Sequence, residues 1–108
     1  MTAEDFRRIA LSFSGATESS HMEHPDFRVA GKVFATLGYP DKNFGMVKLR
    51  LEQQESFARA YPKAFAPVNG GWGARGATQV QLENTDESTL RLAITTAYKN
   101  ITSKLSSK

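Results

Sequence analysis

Two patterns in this chain combine residue types and spacing that chemistry uses. The run Gly71-Trp-Gly-Ala-Arg-Gly76 matches G-x-G-x-x-G. As a dinucleotide fingerprint that pattern must follow a strand and open a helix within a βαβ unit, so that a pyrophosphate meets the helix N-terminus. Here the alternating segment Thr78–Glu83 reads as a strand that follows the glycines, and no parallel unit is present. A glycine loop between strands, as kinases have, fits the local order better, but the kinase catalytic motifs are missing. What remains is binding: Trp72 can stack on a base and Arg75 can fork onto a phosphate. His21 and His24 form H-x-x-H, the spacing of two metal ligands on one helix face. Pro25 disfavours helix at His24. With only 2 histidines and 0 cysteines, a closed site would need the carboxylates of Glu23 and Asp26. No metal and no cofactor is expected. No G-x-S-x-G elbow marks a serine nucleophile. Glu52 and Glu55 stand near a helix start, where the dipole accounts for them. The chain is expected not to be an enzyme.

The basic residues carry a broader signal. The net charge is +3. From Arg28 to Arg75, eight bases (Arg28, Lys32, Lys42, Lys48, Arg50, Arg59, Lys63, Arg75) stand against three acids (Asp41, Glu52, Glu55), a balance of +5. Outside that stretch six bases face eight acids, a balance of −2. A basic middle between slightly acidic ends implies a polarised surface suited to an anionic partner; a solvated patch without any partner is the plainer explanation.

The elements that must position these residues follow from periodicity. Phe6, Ile9, Ala10 and Phe13 make one helical face from Thr2 or Ala3 to Phe13, with Thr2 and Asp5 as a capping signal and Ser14-Gly15 as the stop. Phe27–Val29 and Val33–Tyr39 read as a hairpin whose turn needs the positive φ of Gly31. Pro40-Asp41-Lys42-Asn43 is turn chemistry. Phe44–Leu51 reads as a third strand, with Val47, Leu49 and Leu51 on one side and Met46, Lys48 and Arg50 on the other. Glu52–Tyr61 is a short helix burying Phe57, Ala60 and Tyr61, ended by Pro62. Phe65–Val68 is a short strand, and residues 69–76 read as a loop. Thr78–Glu83 turns Thr78, Val80 and Leu82 inward and Gln79 and Gln81 outward. Asn84 or Asp86 caps a last helix reaching about Lys104, with Leu90, Ala93, Ile94, Ala97, Tyr98 and Ile101 as its apolar stripe.

These elements define an α+β fold, a two-layer antiparallel sheet with helices on one face, in the order α-β-β-β-α-β-β-α. Alternation places Arg28, Lys48, Arg50, Gln79 and Gln81 on the open face, and Lys32 and Lys42 at hairpin tips. Bases there can meet phosphates and glutamines can meet base edges. With 108 residues, 40% hydrophobic and 23% charged, the chain is expected to be one domain, 1–108. The absence of cysteine rules out a disulfide framework and fits a reducing compartment. The first residues lack a signal-peptide pattern, and no run of 18 apolar residues exists, so a cytoplasmic protein without membrane contact is expected.

The run PDFRVAGKVFA, Pro25 to Ala35, resembles the YjbR/MmcQ family, whose members carry a similar Pro-x-Phe-x-Val-x-Gly-Lys-x-Phe-Ala hairpin. Supporting likeness lies in LSFSGATE (Leu11–Glu18, with Phe13-Ser14 in place of the family's proline), Val47-Lys48-Leu49, Tyr61-Pro62-x-x-Phe65 and Thr85–Tyr98. The resemblance covers about residues 5 to 100. It implies a fold similar to type III secretion chaperones and frataxin-like sandwiches. It also implies DNA binding, by likeness to a double-wing motif of a phage transcription factor. Some members have an Asn-Lys-x-x-Trp-type segment where this chain has GWGARGAT, Gly71–Thr78.

The leading expectation is a non-enzymatic, regulatory DNA-binding module. Arg28, Lys48 and Arg50 would neutralise phosphates, Lys32 and Arg75 would extend contact, and Trp72 would stack. Two rival readings stay open. One is a protein-interaction module of the secretion-chaperone type, with an exposed apolar patch through Met46 and Tyr39. The other is a small-ligand binder at the glycine-rich loop. DNA and a protein are the candidate partners, and the chain is expected to be a monomer or weak homodimer.

Overall fold

The computed structural model describes residues 1–21, 24–39 and 41–106. Among these, six strands form one antiparallel sheet: β1 (Thr17–His21), β2 (His24–Val29), β3 (Lys32–Leu37), β4 (Phe44–Lys48), β5 (Phe65–Pro67) and β6 (Ala77–Gln81), in the order β1-β2-β3-β4-β6-β5. With them come α1 (Ala3–Leu11), α2 (Leu51–Ala60), the four-residue α3 (Gly71–Ala74) and α4 (Glu87–Ser106). The α+β architecture expected from the sequence is present, with a strand, a short helix and a 3-10 turn (Leu82–Asn84, at the end of the last expected strand) added to the element order. β1 is an edge strand whose Thr17–Ser20 are all exposed, so it shows no apolar alternation to read. Its Glu18 instead meets Arg7 of α1 at 2.9 Å. The second addition is α3, inside the run expected to be loop. A Cβ at Gly73 would lie 1.7 Å from the Val68 carbonyl oxygen. Close backbone packing therefore decides the conformation there, against glycine's low helix propensity.

One face of the sheet is apolar and covered by helices. Phe27 pairs with Ala35, and Ala35 with Val47; Leu37 pairs with Gly45, Gly45 with Val80, and Val80 with Phe65. Every side chain in these rows is buried, against Phe6, Ile9 and Ala10 of α1 and Leu90, Ala93, Ile94 and Ala97 of α4. Gly45 is required on the central strand because the Phe6 ring occupies the space of its Cβ, 2.6 Å away. A register shift between Phe27 and Arg28 leaves Phe34 extra in β3. Phe34 and Ala35 are consequently both buried although adjacent, and the Phe34 ring meets Tyr98 edge-on at 5.6 Å.

Element ends account for the remaining differences from expectation. Strand geometry stops at Lys48, so Leu51 opens α2 and is 55% exposed instead of inward. In α2, Phe57 packs on Phe65, while Ala60 and Tyr61 are exposed and Gln54 is buried in their place. The Gln54 amide donates to the carbonyls of Gly73 (2.9 Å) and Ala77 (3.1 Å), which satisfies a polar group that amphipathic patterning places outside. In the turn after β3, the Asn43 N–H donates to Asp41 at 2.8 Å; Pro40 lies outside the described residues.

The helix caps are polar and pH-sensitive. Thr2 and Asp5 form the expected capping box. For α4, Asp86 is the cap, accepting from the Thr89 N–H at 2.9 Å, while Asn84 donates to the Lys63 carbonyl. The Asp5 carboxyl titrates below its ordinary range, chiefly through the Thr2 backbone N–H, and Asp86 does so chiefly through that of Thr89. Glu87 is lowered first by its hydrogen bond from Arg8 and then by that from Arg91.

Two predictions follow from these contacts. Gly31 has φ +78 with open space at its Cβ, whereas Gly76 has φ +108 and its Cβ would lie 1.8 Å from the Leu49 carbonyl oxygen. Gly31→Ala should therefore cost about 1 kcal/mol of backbone strain, and Gly76→Ala clearly more; urea midpoints of the two variants give the order. Carboxylates lowered by folding stabilise above their unfolded pKa, and that contribution is lost as pH falls through the folded values. The urea midpoint should thus hold from pH 7 to about 5 and drop below about pH 4, with a smaller drop in Asp86→Ala.

Candidate functional site

The sheet face away from the helices is less basic than alternation suggests. β2 begins at His24, so period two carries back from Arg28 to Asp26, an acid on the same face. Arg28 donates to Asp26 from Nε (3.0 Å) and Nη2 (3.2 Å), and Asp26 is only 4% exposed. That hydrogen bond, then the Coulomb attraction of the same carboxylate, raises the Arg28 pKa. The reading of β2 as Phe27–Val29 stopped short of this partner; extending the alternation by two residues reveals it. Along the same row Asp26 pairs with Thr36, Thr36 with Met46 and Met46 with Gln79. Met46 is buried, Gln79 and Gln81 are half-buried, and Gln81 donates to Glu83. The apolar patch expected through Met46 and Tyr39 is therefore not formed: Tyr39 is exposed, edge-on to the His24 ring, and Met46 is not.

The cations gather at one end of the sheet instead. Lys32 opens β3, Lys48 ends β4, Arg50 precedes α2, Arg75 follows α3 and Lys104 lies in the last turn of α4. Together they line a concavity of about 580 Å³ that contains no acidic residue in its wall. All five are exposed, and among the described residues none of them forms an ion pair. Antiparallel pairing brings the start of β3 and the end of β4 together. The Leu49 N–H donates to the Gly76 carbonyl at 3.0 Å, which sets Arg75 beside Lys48 and Arg50. Asn100 of α4 donates to Gln53 (2.8 Å) and to the Lys48 carbonyl (3.4 Å), which fixes the helix end against the same wall.

Of the six residues expected to bind, four therefore meet: Lys32, Lys48, Arg50 and Arg75. Arg28 and Trp72 lie outside this wall, and Trp72 is 68% exposed on α3. Arg50 is not on the open strand face; it is the residue preceding α2, and its N–H donates to Gln53. Lys104 was not singled out, although its position continues the Ala97–Ile101 stripe by i+3 from Ile101.

The glycine run spends part of its backbone donors internally. Its N–H groups at Ala74, Arg75 and Gly76 donate to Gly70, Trp72 and Gly73 within the run. Gly73 and Gly76 are there because the backbone of Val68 and Leu49 leaves no room for a Cβ. His21 and His24 are opposed across the β1–β2 ladder. Among the described residues no group of three or more histidines or carboxylates is placed to hold a metal, and Glu23 lies outside them. No helix among them is long and apolar enough to cross a membrane.

Since the Lys48 and Arg50 side chains are exposed and form no ion pair among the described residues, replacing both by alanine should alter stability by less than about 0.5 kcal/mol; the urea midpoint and the thermal midpoint check this.

A YjbR family model matches residues 11–100 of the chain. The crystal structure of the Deinococcus radiodurans protein DR2400, described with a DUF419 domain, is similar with a TM-score of 0.80 at 18% identity, covering 95% of this chain and 80% of that one. That likeness is one of fold. No curated protein matches the sequence.

Proposed function

This chain belongs to the YjbR family, and on that premise we propose that it is a non-enzymatic nucleic-acid-binding module that holds DNA phosphates in the basic concavity. The observation that carries the reading is the convergence of Lys32, Lys48, Arg50, Arg75 and Lys104 on one hollow without an acid. Placing five cations together without counter-ions raises their mutual repulsion, and a polyanion relieves it. Arg50 and Arg75 supply planar forks for phosphate oxygens; the lysines supply point charges. Arg28, already tied to Asp26, contributes little here. The reading includes action in the cytoplasm as a monomer or weak homodimer, with regulation through DNA occupancy.

Fluorescence anisotropy with labelled oligonucleotides across a salt series tests it. Five neutralised phosphates give a log–log slope of about −4.5 on B-DNA. The double variant Lys48→Ala/Arg50→Ala should bind more weakly and reduce the magnitude of that slope by about 2. Absence of wild-type binding to any strand at low salt overturns the reading. An unchanged slope in the double variant moves binding off this site.

A further inference from the structure

We infer that the concavity takes an unpaired nucleotide, so that the protein prefers single-stranded to duplex nucleic acid; this rests on the nucleic-acid reading above. The wall between the cations is apolar. Val33 and Ile101 are half-buried there, and Leu49 and Ala97, 5% and 1% exposed, form its base. Asn100, the amide in that wall, donates to Gln53 and to the Lys48 carbonyl and accepts from Gln53. The base of the hollow therefore has no uncommitted side-chain amide to read a base edge. Charge lies on the rim and apolar surface lies below it.

A duplex presents the reverse shape. Its phosphates run along the outside, and its bases are reached by a helix or ribbon that protrudes into a groove. A hollow offers no such element. Its volume is about 580 Å³ and it is broadly open to solvent, room for one nucleotide laid across it without enclosure. A single strand fits this geometry: phosphates of successive nucleotides reach the rim cations while one unstacked base rests on Val33 and Ile101. Apolar contact of that kind tolerates any base, because hydrophobic burial of a base face is non-directional.

The test uses the whole chain and three labelled oligonucleotides of equal length: a single strand, an abasic single strand and a duplex. At 50 mM salt the single strand should bind about tenfold more tightly than the abasic strand and the duplex. Ile101→Ser should narrow the gap between single strand and abasic strand without changing the salt slope, and Trp72→Ala should leave that gap as it is. A thermal melt verifies that each variant is folded, and the wild-type comparison needs no variant at all. Duplex binding equal to or tighter than single-strand binding overturns this inference while the nucleic-acid reading stands. Equal affinity for the abasic strand also overturns it, since phosphates alone would then carry binding. A gap that closes in Trp72→Ala and persists in Ile101→Ser overturns the placement in this hollow. No binding to any of the three overturns both readings.

Discussion

Two backbone approaches that only glycine permits hold together the corner beside the basic concavity. Gly73 lies against the Val68 carbonyl and Gly76 against that of Leu49, each so close that a Cβ would overlap the oxygen. Between them the buried Gln54 amide bridges the carbonyls of Gly73 and Ala77. These contacts join α2, α3 and the start of β6 into one corner. Arg75 is attached to that corner, and Leu49 joins it to the end of β4. The basic concavity is therefore held by satisfied, buried backbone groups, and its charged residues contribute exposure and charge without bearing structural load. That separation lets the rim vary in charge while the fold persists.

Charge is distributed in the same spirit. Several cations away from the concavity have a carboxylate: Arg7 with Glu4 and Glu18, Arg8 with Asp5 and Glu87, Arg28 with Asp26, Arg59 with Glu55, and Arg91 with Glu87. Exposed pairs of this type add little stability each, on the order of 0–1 kcal/mol. Their larger effect is on the field, since they cancel positive potential over α1, the start of α4 and the open face of the sheet. Of the lysines and arginines without an ion pair among the described residues, Lys42, Lys63 and Lys99 stand elsewhere, and the other five stand around one hollow.

The open face of the sheet illustrates how local pairing overrides a composition argument. Read by alternation alone it collects arginine, lysine and glutamine. In the fold its centre is a row of Asp26, Thr36, Met46 and Gln79, with Arg28 folded over Asp26. A guanidinium held in two hydrogen bonds by a nearly buried carboxylate has much of its charge cancelled locally. The cations without an ion pair that line the concavity lie at the strand ends instead.

Much of the architecture was legible in the residues. Period 3.6 marked α1 and α4, period two marked β4 and β6, β-forming residues after the Gly31 turn marked β3, and Thr2, Gly31 and Pro62 marked the ends, because each signal is local and each residue acts within a few positions of itself. The hairpin around Gly31-Lys32 pointed to the family. Edge strand β1 was not legible, since exposure on both faces erases alternation. The burial of Gln54 was not legible either, because it depends on backbone carbonyls 19 to 23 residues away in sequence, nor was the short α3, which rests on the close approach of Gly73 to the Val68 carbonyl. The site divides along the same line. Its lysines and arginines were visible as a basic middle of the chain, for charge is a property of composition. That Lys104 joins four of them while Arg28 leaves for Asp26 was decided only by tertiary structure. Which charges cancel and which converge depends on distances through space, and those are set by how α4 and the glycine corner pack against the strand ends.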